Sequence, residues 1–131
     1  MKNIRGYIFS RSFMGERVPQ HVQNLVIRDY CSRNNLHYLL SGTEYAMPNC
    51  HLIFEQLLDD IDEISGLVLY SLFQLPESAI VRKKVYKKIE ARNKTLHFAV
   101  ENMCASNAKQ FDRIETLWRI RITLPESYLA V

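Results

Sequence analysis

Two polar loops carry the residues best equipped for chemistry. The first, Ser10-Arg11-Ser12-Phe13-Met14-Gly15-Glu16-Arg17, follows an apolar run from Ile4 to Phe9 and leads into a helical pattern. The second, Ser71-Leu72-Phe73-Gln74-Leu75-Pro76, follows Gly66-Leu67-Val68-Leu69-Tyr70. Together they offer hydroxyls at Ser10, Ser12 and Ser71, cations at Arg11 and Arg17, and an amide at Gln74. Backbone N–H groups at a helix start, beside two guanidinium groups, suit a phosphate or carboxylate. The plainer alternative is a solvated loop whose serines cap turns. One glycine is too few for a Walker loop or a dinucleotide fingerprint. His21 lies one turn into the helix that follows and has the chemistry of an acid or base near neutral pH. A lone helical histidine is more often a surface or capping side chain. Glu44 and Tyr45, after the second strand, could reach the same rim; Glu101 and Asn102 follow the fourth. The candidate catalytic residues are therefore Ser10, His21 and Glu44. The candidate ligand contacts are Arg11, Ser12, Arg17, Ser71 and Gln74.

Other titratable groups point to structure. His37, His51 and His97 lie in or beside expected elements, and no pair has metal-ligand spacing. Cys31, Cys50 and Cys104 form no C-x-x-C pair, so neither a zinc site nor a disulfide framework is expected. Cys31 and Cys104 read as small buried hydrophobes. No metal and no cofactor is expected. Asp59, Asp60, Asp62 and Glu63 form an acidic helix end whose spacing fits no calcium loop; a partner subunit's basic helix would suit it. Arg82, Lys83, Lys84, Lys87, Lys88, Arg92 and Lys94 form a basic face. That face could track nucleic-acid phosphates, but a solvated face is the better reading, so DNA is not the expected partner.

Four apolar runs read as strands: Ile4 to Phe9, Leu36 to Leu40, Gly66 to Tyr70, and Thr95 to Val100. Helical patterns separate them. From Pro19 to Asn34 the apolar stripe is Val22, Val26 and Tyr30. From Asn49 or Cys50 to Ile61 it is Leu52, Ile53, Leu57, Leu58 and Ile61, with Asn49 as N-cap. The third helix starts near Pro76 or Ser78 and carries Val81, Val85 and Ile89. The last runs from about Asn107 to about Ile122, with Phe111, Ile114, Leu117 and Trp118 inward, and Pro125 blocks its continuation. Alternating strands and helices need crossovers and hence a largely parallel sheet. The expected fold is one α/β domain over residues 1–131. It is a three-layer sandwich whose mostly parallel four-stranded sheet has the order 2-1-3-4 of flavodoxin-type sheets. Ligands of such sheets bind beyond the strands' carboxyl ends, where the order switches. Here that point falls between the first and third strands, which joins the two polar loops.

Bulk properties fit that picture. In 131 residues, 47% are hydrophobic and 24% charged, enough for one folded core and too apolar for a disordered chain. The net charge of +3 permits an anionic ligand without demanding nucleic acid. No signal-peptide pattern opens the chain and no membrane-length apolar stretch occurs, so a cytoplasmic protein without a membrane partner is expected.

Two resemblances follow from these residues. Gly6-Tyr7 in the first strand, Ser10 or Ser12 after it, Gln20 or Gln23 opening the first helix, and Gly66-Leu67-Val68-Leu69-Tyr70-Ser71-Leu72 resemble the serine recombinase (resolvase) catalytic domain. That family stabilises a crowded phosphorane with arginines. In their place stand Phe73, Gln74 and Glu77 in the second loop, and Met47-Pro48-Asn49 before the second helix, so the resemblance implies the frame without strand exchange. Arg5-Gly6-Tyr7-Ile8-Phe9-Ser10-Arg11, the stretch from Gly15 to Asn24, and Tyr70-Ser71-Leu72-Phe73-Gln74-Leu75-Pro76 resemble the sporadic carbohydrate cluster proteins. This resemblance implies a role in bacterial surface-glycan or lipopolysaccharide sugar synthesis. The leading expectation is a protein that binds a phosphorylated or nucleotide-activated sugar. The alternatives are a non-enzymatic scaffold, dimeric through the last helix at Trp118, Ile120 and Ile122, and a nucleic-acid binder.

Overall fold

The computed structural model describes residues 1–124. Its five strands are β1 (Lys2–Phe9), β2 (Leu36–Glu44), β3 (Gly66–Leu69), β4 (Thr95–Phe98) and β5 (Met103–Ala105); its α-helices are α1 (Gln20–Arg33), α2 (Leu52–Asp59), α3 (Ala79–Ala91) and α4 (Ala108–Thr123). The sheet order is β2-β1-β3-β4-β5. The first four strands are parallel, in the expected order, and β5 turns back antiparallel to β4. The fifth strand is not marked in the sequence pattern, because the run from Thr95 to Val100 shows no break before it. Strand β4 stops at Phe98, and Asn102 takes a positive φ of 52° that lets the chain reverse.

Every residue of β3 is buried, as befits an inner parallel strand covered on both sides. One face packs Ile4, Ile8 and Val68 beneath Ile27, Tyr30 and Cys31 of α1. The other face supports α2, α3 and α4 through Phe54, Leu57, Val85, Ile89, Phe111, Ile114 and Trp118. Right-handed crossovers enforce this split, because the chain moves one way along the sheet through α1 and the other way through α2 and α3. A side chain at Gly66 would collide with the Thr95 carbonyl, so that close strand approach requires glycine.

A bulge in β2 matters for the site. Arg5 pairs with Leu39 but Tyr7 pairs with Gly42, so β2 holds one extra residue opposite Gly6. A one-residue shift reverses which face each later side chain meets. Glu44, paired with Phe9, therefore lies on the face of Tyr7, Phe9 and α2.

Several local expectations need correcting. The buried residues of α1 are Gln23, Ile27, Tyr30 and Cys31, whereas Val22 and Val26 are only half-buried. Asn49 does not cap α2; it sits at a positive φ of 60°, and the helix begins later, after His51. Val81 is exposed at the start of α3, where the inward stripe includes Arg82 and Tyr86. Cys104 is exposed, since β5 is an edge strand, and all three cysteines are free. Ser78 and Asn107, near the expected helix starts, cap α3 and α4, accepting from Val81 N at 3.4 Å and Gln110 N at 3.0 Å. Pro125, expected to stop the last helix, lies outside the described residues. No helix among the described residues is long and apolar enough to cross a membrane.

Candidate functional site

Two adjoining cavities open at the carboxyl ends of β1 and β3. One, of about 240 Å³, has aromatic walls at Phe9, Phe13, Phe73 and Trp118, with Arg11 and Ser12 beside them. The other, of about 530 Å³, runs between α2 and α3 past Phe54, Leu58, Val81 and Val85. His51 and Glu77 line both, so they mark where the cavities meet. This is the switch point that the strand order defines.

The loop after β1 is shaped by a tight hairpin. Phe13 and Glu16 exchange backbone hydrogen bonds of 2.9 Å each, across Met14 (φ 50°) and Gly15 (φ 76°). Two positive φ values suit a primed turn. The hairpin presents Phe13 to the cavity, edge-on to Phe9 at 5.8 Å between ring centroids. Arg11 is held in place: its Nη1 donates to the Tyr45 carbonyl at 2.9 Å, and its guanidinium lies 4.1 Å from the Phe9 ring centroid. The remaining guanidinium donors have no hydrogen-bond partner among the described residues.

Glu44 has a structural task. It is 1% exposed and accepts from Tyr7 Oη at 2.8 Å, Tyr45 N at 3.0 Å, and Ile53 N and Phe54 N at 3.2 Å each. Ile53 and Phe54 are in the first turn of α2, so Glu44 supplies from β2 the acceptor that the helix's own N-cap position lacks. Burial alone would raise its pKa, but the bonds from Tyr7, Ile53, Tyr45 and Phe54 outweigh that and hold it below the ordinary carboxylate value. Its oxygens are thus taken up by Tyr7, the Tyr45 N–H and the backbone at the start of α2. Gln74 is likewise sealed, at 0% exposure. Its Nε2 donates to Gln23 Oε1 at 2.8 Å, while its Oε1 accepts from Ser71 N at 3.3 Å. Gln23 in turn exchanges bonds with both Phe9 backbone groups and donates to the Val18 carbonyl. The two amides stitch β1, α1 and the second loop together, because buried polar groups need partners. Gln74 lines neither cavity.

The other nominated residues disperse. Ser10 donates its hydroxyl to the Glu44 carbonyl at 2.7 Å. Ser71 donates to Glu101 Oε2 at 2.8 Å and lines a third hollow with Glu16, Tyr70 and Arg121. Arg17 is exposed and lines none of these cavities; His21 lies in a separate surface hollow with Asn24, Leu25 and Arg28. Of the original set, Arg11 and Ser12 alone line the aromatic cavity.

The residue pattern nominates none of His51, Phe73, Glu77 and Trp118 for the site, yet all four line its cavities. His51 Nδ1 lies 3.3 Å from Tyr7 Oη, and its pKa is lowered by burial first and by Arg11 second, against Glu44 and Glu77. The available signal was its position at the start of the helix following the second strand, which the topology brings to the same rim. Trp118 is 3% exposed, stacked beneath the Arg82 guanidinium at 4.2 Å, so it belongs to this wall and not to a docking strip.

Arg82 is not part of a solvated basic face. It forms a two-pronged pair with Glu115 at 2.8 and 2.9 Å and donates to the carbonyls of Pro76 and Glu77. Lys88 pairs with Asp59 and Arg92 with Asp62, so the acidic end of α2 and the turn after it meet α3 of the same chain. The chain's own pairing thus takes up Arg82, Lys88 and Arg92 from the basic run. Among the described residues, no cluster of metal-ligating side chains occurs.

No family model and no curated protein matches the sequence. Solved structures do match in fold. The chain is similar to a resolvase family site-specific recombinase from Streptococcus pneumoniae, at a TM-score of 0.66 and 11% identity over 89% of this chain and 87% of that one. It is also similar to the N-terminal catalytic domain of TP901-1 integrase, at a TM-score of 0.61 and 15% identity over 97% and 99%. The fold is thus α/β and resolvase-like.

Proposed function

We propose that this protein binds a phosphorylated or nucleotide-activated sugar at the β1–β3 switch point, in the service of bacterial surface-glycan synthesis. The observation that carries the binding reading is Arg11, fixed on the Phe9 ring beside an aromatic cavity with donors to spare. Aromatic walls with a few placed polar groups are the usual make-up of a small-molecule pocket. A ring would lie among Phe9, Phe13, Phe73 and Trp118, its anionic group at Arg11, and the groove between α2 and α3 would hold the remainder. The glycan setting rests on the sequence resemblance alone. Phe73 and Glu77, standing where resolvases are expected to carry arginines, argue against DNA phosphate chemistry.

The test is a thermal-shift and calorimetric screen of sugar 1-phosphates and nucleoside diphosphate sugars. Wild type should be stabilised, and Arg11→Ala should bind at least about tenfold more weakly, the loss of roughly one charge-assisted contact. If none of these ligands stabilises wild type, the reading fails.

A second reading, a dimeric scaffold, draws on Ile120 and Ile122, which are 50% and 65% exposed on α4. Sedimentation of wild type against Ile120→Lys decides it: a wild-type monomer removes the idea.

A further inference from the structure

We infer that His51 is the proton acceptor of this site, with Nδ1 protonated and the Nε2 lone pair available to a hydroxyl of the bound ligand. The argument is a count of protons along Glu44, Tyr7 and His51. Glu44, surrounded by backbone and hydroxyl donors, is an ionised carboxylate and can only accept. Tyr7 Oη has one proton, and at 2.8 Å from Glu44 Oε1 that proton is committed. Toward His51, Tyr7 Oη can therefore only accept, so the 3.3 Å contact places a proton on Nδ1. In a neutral imidazole this leaves Nε2 bare.

Nε2 has no partner among the described residues. It is also not sealed in: the single buried side-chain nitrogen or oxygen without a partner among them is Trp118 Nε1. The ring lines both cavities at their junction, within the field of Arg11 from the first loop, Glu77 from the second, and Glu44 behind Tyr7. Burial and Arg11 favour the neutral ring, which is the form able to accept.

The step is proton transfer. The O–H bond of a ligand hydroxyl breaks, its electron pair stays on oxygen, and the proton bonds to Nε2. The imidazolium keeps its Nδ1–H on Tyr7, and the Glu44 carboxylate beyond offsets the new charge. Tyr7 and Glu44 are positioning residues that set the tautomer. The ligand class is narrowed to an anionic molecule that also carries a free hydroxyl or other donor within reach of His51. This assignment deepens the binding reading above and rests on the same cavities.

Nitrogen-15 NMR of the imidazole side chains, at a pH above their titration, reads the tautomer directly. Wild-type His51 should be protonated at Nδ1, and Tyr7→Phe should move it toward the Nε2–H form that free imidazole side chains favour. An Nε2–H ring in wild type overturns the inference even if Tyr7→Phe does not fold, and so does a folded Tyr7→Phe with an unchanged tautomer. Diethyl pyrocarbonate labelling, read by mass spectrometry with and without saturating uridine diphosphate glucose and glucose 1-phosphate, separates the two claims. An Nδ1–H ring that is labelled equally with and without these sugars supports the proton acceptor and counts against the ligand reading. Protection together with an Nε2–H ring keeps the ligand and removes the proton acceptor.

Discussion

Two carboxylates sit at the carboxyl-end rim of the sheet, past strands that β1 and β3 separate, and behave oppositely. Glu44, at the end of β2, gathers a tyrosine hydroxyl and three backbone N–H groups, and its pKa falls. Glu101, after β4, accepts from Ser71 Oγ at 2.8 Å and Leu72 N at 2.9 Å, and its pKa rises. Burial pushes both upward. It prevails at Glu101, where the bonds from Leu72, Ser71 and its own N–H only reduce the effect. The two also differ in the donors each backbone supplies. Glu44 faces the first turn of a regular helix, whose N–H groups converge on it, while Glu101 meets a single short 3-10 turn at Leu72–Gln74. One carboxylate is fixed as an anion that organises its surroundings; the other is more easily protonated.

The contrast can be broken by removing each carboxylate in turn. Glu44→Ala strips acceptors from Tyr7 and the start of α2 and should destabilise the fold by about 3–5 kcal/mol, measured by urea unfolding. Since the folded pKa of Glu44 is lowered, its contribution is fully present above the ordinary carboxylate range near about pH 4 and is lost as pH falls through the folded value. Glu44→Gln should weaken that acid-side dependence. A third carboxylate sharpens the comparison, because Glu115 is answered by a cation. Burial raises its pKa, but Arg82 and Tyr86 more than reverse this. Arg82→Met should cost about 3 kcal/mol by leaving Glu115 without its partner, and adding Glu115→Leu should recover part of that loss, read from the same unfolding curves. Glu101→Gln should have the smallest effect, within about 1 kcal/mol at neutral pH. With a raised folded pKa, the favourable contribution of Glu101 is present below the ordinary carboxylate value and lost as pH rises through the folded one. Glu101→Gln should therefore flatten the fall of stability as pH rises above the ordinary carboxylate value. An equal loss in Glu44→Gln and Glu101→Gln would show that helix donors do not distinguish the two.

The buried pair Tyr30–His97 follows the same logic with the opposite charge type. The hydroxyl lies 2.7 Å from His97 Nδ1, and burial, aided by Lys2, holds the histidine down at about 4. Its neutral form stabilises the fold above the ordinary histidine value, and that stability drains away as pH falls toward the folded one.

The order β2-β1-β3-β4 was legible because strand and helix patterns alternate, and short right-handed crossovers leave few other ways to connect them. The rim at which the two cavities open followed from that order. The identity of its groups did not. Glu44 and Gln74 looked like free polar side chains in loops, but the β2 bulge and the start of α2 enclose the one, and Gln23 and Ser71 enclose the other. Arg82 read as one cation among many, and its 5% exposure depends on Glu115, thirty-three positions away in the chain.

Local residue pattern determined the four parallel strands, most helix starts and the rim where two loops meet, because apolar periodicity and crossover handedness act at short range or on the whole chain alike. Tertiary structure alone decided which polar groups at that rim are occupied and which are open. Hydrogen-bond partners of a buried side chain come from segments distant in sequence, and a one-residue bulge changes the face on which they are met.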